Sequence, residues 1–408
     1  MLKILHTSDL HIGKRLYQEE LADDLHLFFN WLTDLIKENQ VDVLLVAGDV
    51  FDVANPSSES RRMYYELLRK LMHLKCKVII TGGNHDSPAV LEAPRELLRY
   101  LDIHVIGGYG NDPESLLIPL GNEKGQVEAV VACVPYLRDA DLRKYTADET
   151  YEERTEAVRD GIARIYREAA TLCGEKFPGL PALATGHLYV QGASLSDSER
   201  DIQIGNMAGL ETSRLPDYFS YYALGHLHKP QEPDGSRLVY SGAPVKLSFS
   251  ESGNRNRVML INIDQGEVKT ESIPVPEFRR LIRFRGSVAR LKQELDNYSP
   301  NDNKLGDFIE LEALEENHDP ARRVELEEMI GNFYNDKARI LKHSIRFSSQ
   351  PAGTASLYGD IESITDLKPM DVFEKRMERE NLEESTRDML RDAFRELLEE
   401  VEQQTKEE

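Results

Sequence analysis

The sequence predicts an α/β fold with its functional residues at the carboxyl ends of buried strands, and three observations carry that prediction. Short apolar runs alternate with longer amphipathic stretches. The run 43–47 is Val-Leu-Leu-Val-Ala, apolar on both faces as an interior parallel strand must be, and it stops at Gly48-Asp49. Further runs at 2–6, 78–81, 183–185 and 221–224 also end in candidate metal ligands. In open α/β sheets that edge is where loops converge on a ligand.

The 408 residues leave room for one domain of ~250 residues and smaller ones beside it. A net charge of -22 excludes a protein that coats nucleic acid by bulk attraction, so any such contact must be local. Cys76, Cys133 and Cys173 are too few and too scattered for a disulfide framework or a thiolate metal site. No signal-peptide pattern opens the chain, and no apolar run approaches the ~18 residues that span a membrane. A soluble, cytoplasmic protein of a reducing compartment is expected.

Residues 2–6 read as a strand followed by Asp9-x-His11, two side chains that an extended backbone points the same way. Lys14 and Arg15 read as solvated. An amphipathic helix is expected over 19–39, with Leu25, Phe28, Phe29, Leu32, Leu35 and Ile36 as its stripe. Residues 55–58, Asn-Pro-Ser-Ser, turn the chain and cap a helix over 58–74. Asp52 is either a phosphate-side group or a helix-start carboxylate, and the second reading is preferred. After the strand 77–81, Gly82-Gly83 permits a tight turn, and Asn84 offers a neutral oxygen donor. His85 either protonates a leaving alkoxide or is a hydrogen-bonded turn histidine. A single helix over 88–101, a strand over 127–134 and a charged helix over 150–173 follow. Gly186-His187 repeats the strand-end pattern, and Gly225-His226-Leu227-His228 puts two imidazoles on one side of an extended segment. Each cluster alone is weak evidence, but five in the same setting are strong.

Asp9-x-His11, Gly48-Asp49-x-x-Asp52, Gly83-Asn84-His85-Asp86, Gly186-His187 and Gly225-His226-x-His228, in this order, resemble the calcineurin-like metallophosphoesterase signature. The motif order, the Asp49-Val50-Phe51-Asp52 variant and the added C-terminal segments resemble the nuclease subunits of bacterial double-strand-break complexes. The resemblance implies a two-sheet sandwich flanked by helices, with a small α+β capping domain and a C-terminal helical hairpin. Its boundaries would be 1–273 for the nuclease domain, 277–347 for the cap, 348–370 for a linker and 371–405 for the hairpin. It also implies Asp9, His11, Asp49 and His228 on one metal, and Asp49, Asn84, His187 and His226 on a second, with His85 catalytic. Archaeal and eukaryotic relatives place a histidine where this chain has Asp52. Imidazole, carboxylate and amide donors without thiolate suit manganese or iron at least as well as zinc, and two Mn(2+) ions are expected.

Past the stiff segment 273–276, Arg279, Arg280, Arg283 and Arg285 open a basic cluster. It is either a phosphate-contact face on DNA or a solvated surface balanced by the acidic stretch 310–316. In the tail, Phe373, Met389, Leu390, Phe394 and Leu397 lie on stripes that two short helices cannot bury alone. In the family that segment binds the coiled-coil base of an SbcC-type ATPase. The expected protein is a metal-dependent DNA nuclease subunit, exonuclease and endonuclease, acting with that ATPase in DNA repair and recombination. A homodimer within a heterotetramer, nucleoid-associated when DNA-bound, is expected. The alternatives are a phosphatase or small-molecule phosphodiesterase of the same fold, and a catalytically silent DNA-end scaffold.

Overall fold

A computed structural model describes residues 1–349 except 111, 123–124, 143–149, 195–208, 234 and 236. Strand β1 (Leu2–Thr7) passes through a small hairpin, β2 (Arg15–Leu16) and β3 (Glu19–Glu20), into helix α1 (Ala22–Asn39). Then come β4 (Val43–Ala47), α2 (Ser58–His73), β5 (Lys77–Thr81), two short helices α3 (Pro88–Glu92) and α4 (Arg95–Arg99), and β6 (Ile103–Ile106). The next stretch holds β7 (Leu117–Gly121), β8 (Val127–Ala132), α5 (Asp139–Leu142), α6 (Tyr151–Lys176), β9 (Ala182–His187), β10 (Tyr221–Gly225) and β11 (Leu238–Tyr240). Strands β12 (Arg257–Asp264) and β13 (Glu267–Pro274) return to the first sheet.

These strands form two sheets, in the orders β13-β12-β1-β4-β5-β6 and β11-β10-β9-β8-β7. Within them β1, β4, β5 and β6 run parallel, as do β8, β9, β10 and β11, so their carboxyl ends share one edge of each sheet. Alternation along β4 divides its apolar run between two cores. Val43 and Leu45 meet Leu183, Tyr221 and Ala223 of the facing sheet, while Leu44 and Val46 pack on Leu25, Phe28 and Leu67 of α1 and α2. On the far side, Val130, Ala184 and Tyr222 pack on Ile162, Ile165 and Tyr166 of α6. The result is a helix-sheet-sheet-helix sandwich.

A smaller unit follows: β14 (Leu281–Gly286), α7 (Val288–Asp296), β15 (Asp307–Asn317), α8 (Pro320–Asn332) and β16 (Ala338–Ser349). Its three strands are parallel, and Val288, Leu291, Ile309, Leu311 and Leu326 form its own core. Phe278, Leu281 and Phe308 belong instead to the core shared with α1.

Two expected helices change. The one read over 19–39 begins at Ala22, because Glu19 and Glu20 pair with Leu16 and Arg15 in the hairpin. The one read over 88–101 breaks into two, with Pro94, which has no N–H to donate, at the start of the second. The linker 348–370, apart from its first two residues, and the hairpin 371–405 with Phe373, Met389, Leu390, Phe394 and Leu397 lie outside the described residues. No helix among the described residues is long and apolar enough to cross a membrane.

Candidate metal centre

The loops leaving β1, β4, β5, β9 and β10 meet in the crevice between the two sheets. Their backbones are bent hard to do so: Asp9, His11, Asp49 and His226 have φ of 53, 44, 48 and 97°. Non-glycine residues rarely adopt such angles, which cost ~1–3 kcal/mol each and persist only where the surroundings enforce them. The approach is close enough that a Cβ on Gly48 would collide with the His187 ring, and one on Gly83 with Asp49. Hydrogen bonds cross between the sheets, with His226 N–H donating to Asp9 Oδ1 (2.8 Å) and His187 Nδ1 to Ala47 O (3.0 Å).

His11, His187 and His228 are each aimed by the nitrogen not turned to the centre. His11 Nδ1 donates to Asp52 Oδ1 (3.0 Å), and His228 Nδ1 to Glu251 Oε1 (2.9 Å). This leaves the Nε2 of His11 and His187 at 3.5 and 3.2 Å from one oxygen, Asp49 Oδ2. On one side, ligand atoms of Asp9, His11 and His228 lie within 4.8 Å of one another; on the other, so do those of Asp9, Asp49 and His187. Asn84 Oδ1 completes the second group, 2.9 Å from His187 Nε2 and 3.1 Å from His226 Nδ1.

The electrostatics call for cations. Burial alone would raise the Asp49 carboxyl, yet His187, with His11 and His85, holds it well below the usual carboxylate range. His187 is pushed up to about 9: burial opposes this, but Asp49 and Asp9 outweigh it. His226 is driven down to about 3 by burial and then by His187. His11 Nε2 is buried with no hydrogen-bond partner, which is costly unless a metal takes its lone pair. Oxygen and imidazole donors of this kind fit a pair of divalent ions.

His85 stands beside this group, its ring 4.9 Å from that of His11. Its N–H donates to Asp49 Oδ1 (2.9 Å), and its Nδ1 to the Asp52 carbonyl (2.8 Å), leaving Nε2 for another partner. Three carboxylates were missed or misread in the sequence. Asp52 is not at a helix start; its Oδ1 lies between His11 Nδ1 and Lys14 Nζ (3.1 Å), so Lys14 is not merely solvated either. Asp86 ties two loops by accepting from Val50, Phe51 and Gly83 N–H groups. Glu251, fully buried, carried no sequence signal at all, lying among serines far from every motif.

In the arginine cluster the structure takes only Arg279 away from an open phosphate-contact face; the side chains of Arg280, Arg283 and Arg285 are 30, 41 and 63% exposed, each facing a carboxylate. Arg279 is 10% exposed, clamped on Asp24 (3.0 Å) of α1 and over the Phe308 ring. Arg280 pairs with Asp307, Arg283 with Glu310 (2.6 Å) and Arg285 with Glu312 (3.4 Å). Each cation faces a nearly buried carboxylate, and a bare carboxylate there would be the costlier state.

Residues 2–230 match the family model described as calcineurin-like phosphoesterase. The chain belongs to that family. Within it, a Rhodobacter capsulatus protein named as the SbcD component of the nuclease SbcCD is 38% identical over 294 residues, 69% of this chain and 71% of the relative. The protein of the same name from Escherichia coli K12 is 29% identical over 401 residues, 96% of this chain and 97% of its own. Residues 277–381 match a second model, described as type 5 capsule protein repressor C-terminal domain. This calcineurin-like phosphoesterase is thus an SbcD-type one over most of its length. A dimetal phosphatase structure from Danio rerio aligns with 68% of this chain and 97% of its own at 10% identity, but its TM-score of 0.42 carries no argument.

Proposed function

We propose that this chain is the manganese-dependent nuclease subunit of a DNA end-processing complex, cutting duplex ends as an exonuclease and single strands and hairpins as an endonuclease. The observation that carries the reading is Asp49 Oδ2, which lies between two imidazole Nε2 atoms as the shared ligand of a two-metal centre would. Asp9, His11, Asp49 and His228 hold one ion in this reading, and Asp49, Asn84, His187 and His226 the other. When bound, the pair supplies a metal-activated hydroxide and Lewis-acid stabilisation of charge on the phosphate. The chain's own part is to orient and to protonate. Asp52 and Glu251 fix the rings of His11 and His228, and His85 gives a proton from Nε2 to the departing oxygen.

DNA as substrate and an SbcC-type coiled-coil ATPase as partner are supported by the nuclease-subunit relatives matched over most of the chain. Exposed Leu97 and Tyr100 on and beside α4, with Tyr65 on α2, offer an apolar surface for a second copy of the chain. We assign the complex to the cytoplasm and, when on DNA, to the nucleoid. The stripe from Phe373 to Leu397 is the proposed ATPase contact. Truncation after Pro369 is expected to abolish ATPase binding while manganese binding persists.

The deciding experiment compares linear duplex, hairpin and a small chromogenic phosphodiester as substrates, with manganese, with and without the ATPase. Cleavage of duplex and hairpin is expected. Hydrolysis of the small diester alone would make this a small-molecule phosphodiesterase, and hydrolysis of nothing would leave a DNA-end scaffold.

A further inference from the structure

The crevice continues past the metal ligands. In the first sheet β6 neighbours β5, which leads to Asn84; in the second, β8 neighbours β9, which ends at His187. Adjacent strands lie ~4.8 Å apart, so the carboxyl ends of β6 and β8 line the same crevice one strand further out. A cavity of about 290 Å³ opens there, with Glu92, Arg95, Arg99, Tyr109, Tyr136 and Arg138 in its wall. Tyr136 joins it to the centre: its ring stands edge-on to His187 at 6.2 Å, and its N–H donates to Gly82 O (2.8 Å). Two residues on, Arg138 Nη2 reaches the loop that carries Asn84 and His85, 3.4 Å from Asp86 O.

The carboxylates around this cavity are already engaged. Glu92 Oε1 accepts from Gly107 N–H (2.8 Å), its Oε2 faces Arg95 (3.1 Å), and Asp141 accepts from Arg138 N–H (2.9 Å). Arg138 itself is exposed, and among the described residues no carboxylate comes within ion-pair distance of its guanidinium. An unanswered cation beside the reacting loop of a chain of net charge -22, next to two half-buried tyrosine rings, has the chemistry of a nucleotide pocket. The volume, near the ~300 Å³ lower end for ligand sites, suits one nucleotide and excludes a duplex.

We propose that this cavity is the subsite for the nucleotide next to the scissile bond, with Arg138 on its phosphate and Tyr109 and Tyr136 against its base. The inference rests on the nuclease reading and deepens it. The ligand is a nucleoside monophosphate unit, free or at a strand end.

The test measures inhibition of small-diester hydrolysis by dAMP and by inorganic phosphate in the manganese-loaded wild type, Arg138→Met and Tyr109→Ala. A charged hydrogen bond and a stacked base predict dAMP Ki values about 10-fold or more higher in each variant, while in Tyr109→Ala, which touches only the base, the phosphate Ki should change less than about twofold. Calorimetric dAMP affinity should fall by the same factors. A dAMP Ki that stays put in both variants, or that in Tyr109→Ala moves in step with phosphate, overturns the subsite. Oligonucleotide cleavage is run alongside. If the wild type cuts no DNA, the nuclease reading fails separately; if it cuts and dAMP is indifferent to both substitutions, only the subsite fails. A higher oligonucleotide KM in Arg138→Met places a strand's nucleotide in the cavity, and a shift confined to dAMP makes the free nucleotide its ligand.

Discussion

The metal centre and the sheet of the small C-terminal unit both crowd charged side chains together, and they do so in opposite ways. Across β14, β15 and β16, Glu310 stands between Arg283 and Lys342, and Glu312 between Arg285 and Arg346. Each carboxylate oxygen there faces a cation of its own, and the ladder is complete. In the crevice, by contrast, the second nitrogen of His11, His187 and His228 is tied to the protein so that the first can point inward, and one oxygen of Asp49 is asked to answer two histidines at once. Convergence on one shared point marks a site, whereas pairwise closure marks scaffolding. Density of charge distinguishes neither.

The hardest test of that distinction is Asp49→Asn. Removing the shared carboxylate should abolish phosphodiester hydrolysis and lower the metal content, read by elemental analysis, below two ions per chain. Full activity with one ion would break the two-metal reading. Next in size is Arg279→Met, which strands Asp24 without a partner in a contact where the side chains are only 10% and 8% exposed. Breaking such a buried pair costs ~3–5 kcal/mol, to be read in a denaturant titration, with metal content unchanged. A loss below about 1 kcal/mol would show the clamp to be surface-like.

His85→Gln should slow cleavage ~100-fold with near-normal metal binding, the signature of a lost general acid. If metal occupancy collapses instead, His85 is a ligand. Glu251→Gln should weaken manganese affinity ~10- to 100-fold through His228, because an aimed imidazole is a better ligand than a loose one. Unchanged affinity in calorimetry would reduce Glu251 to packing. The smallest effect is expected for Arg283→Ala with Arg285→Ala: these side chains are 41 and 63% exposed, and Lys342 and Arg346 still answer Glu310 and Glu312, so each loss should cost only ~0–1 kcal/mol. The salt dependence of duplex binding should also hold; a slope reduced by ~0.9 per arginine would return them to the phosphate-contact role.

What the sequence made legible was whatever recurs at a fixed place along a strand. Asp9, His11, Asp49, Asn84, His187, His226 and His228 follow buried runs, and one sheet edge suffices to bring them together. Glu251 and Asp52 were beyond that logic, because their roles depend on which ring nitrogen faces inward. Arg279 misled for a related reason: composition counts a cation, but only the fold shows that Asp24 of α1 stands opposite it. Pro94 could have warned that 88–101 is not one helix.

The bond from His226 to Asp9 spans 217 residues, and the pairing of His226 with Asn84 spans 142. During synthesis at ~5–20 residues per second, roughly 7 to 28 s separate the emergence of Asn84 from that of His226. For most of that interval the nascent chain carries carboxylates and an amide with three of the four ligand imidazoles, those of His187, His226 and His228, still unmade. Contacts so distant in sequence form late, so hydrolytic competence is a property of the finished chain and not of its amino-terminal half.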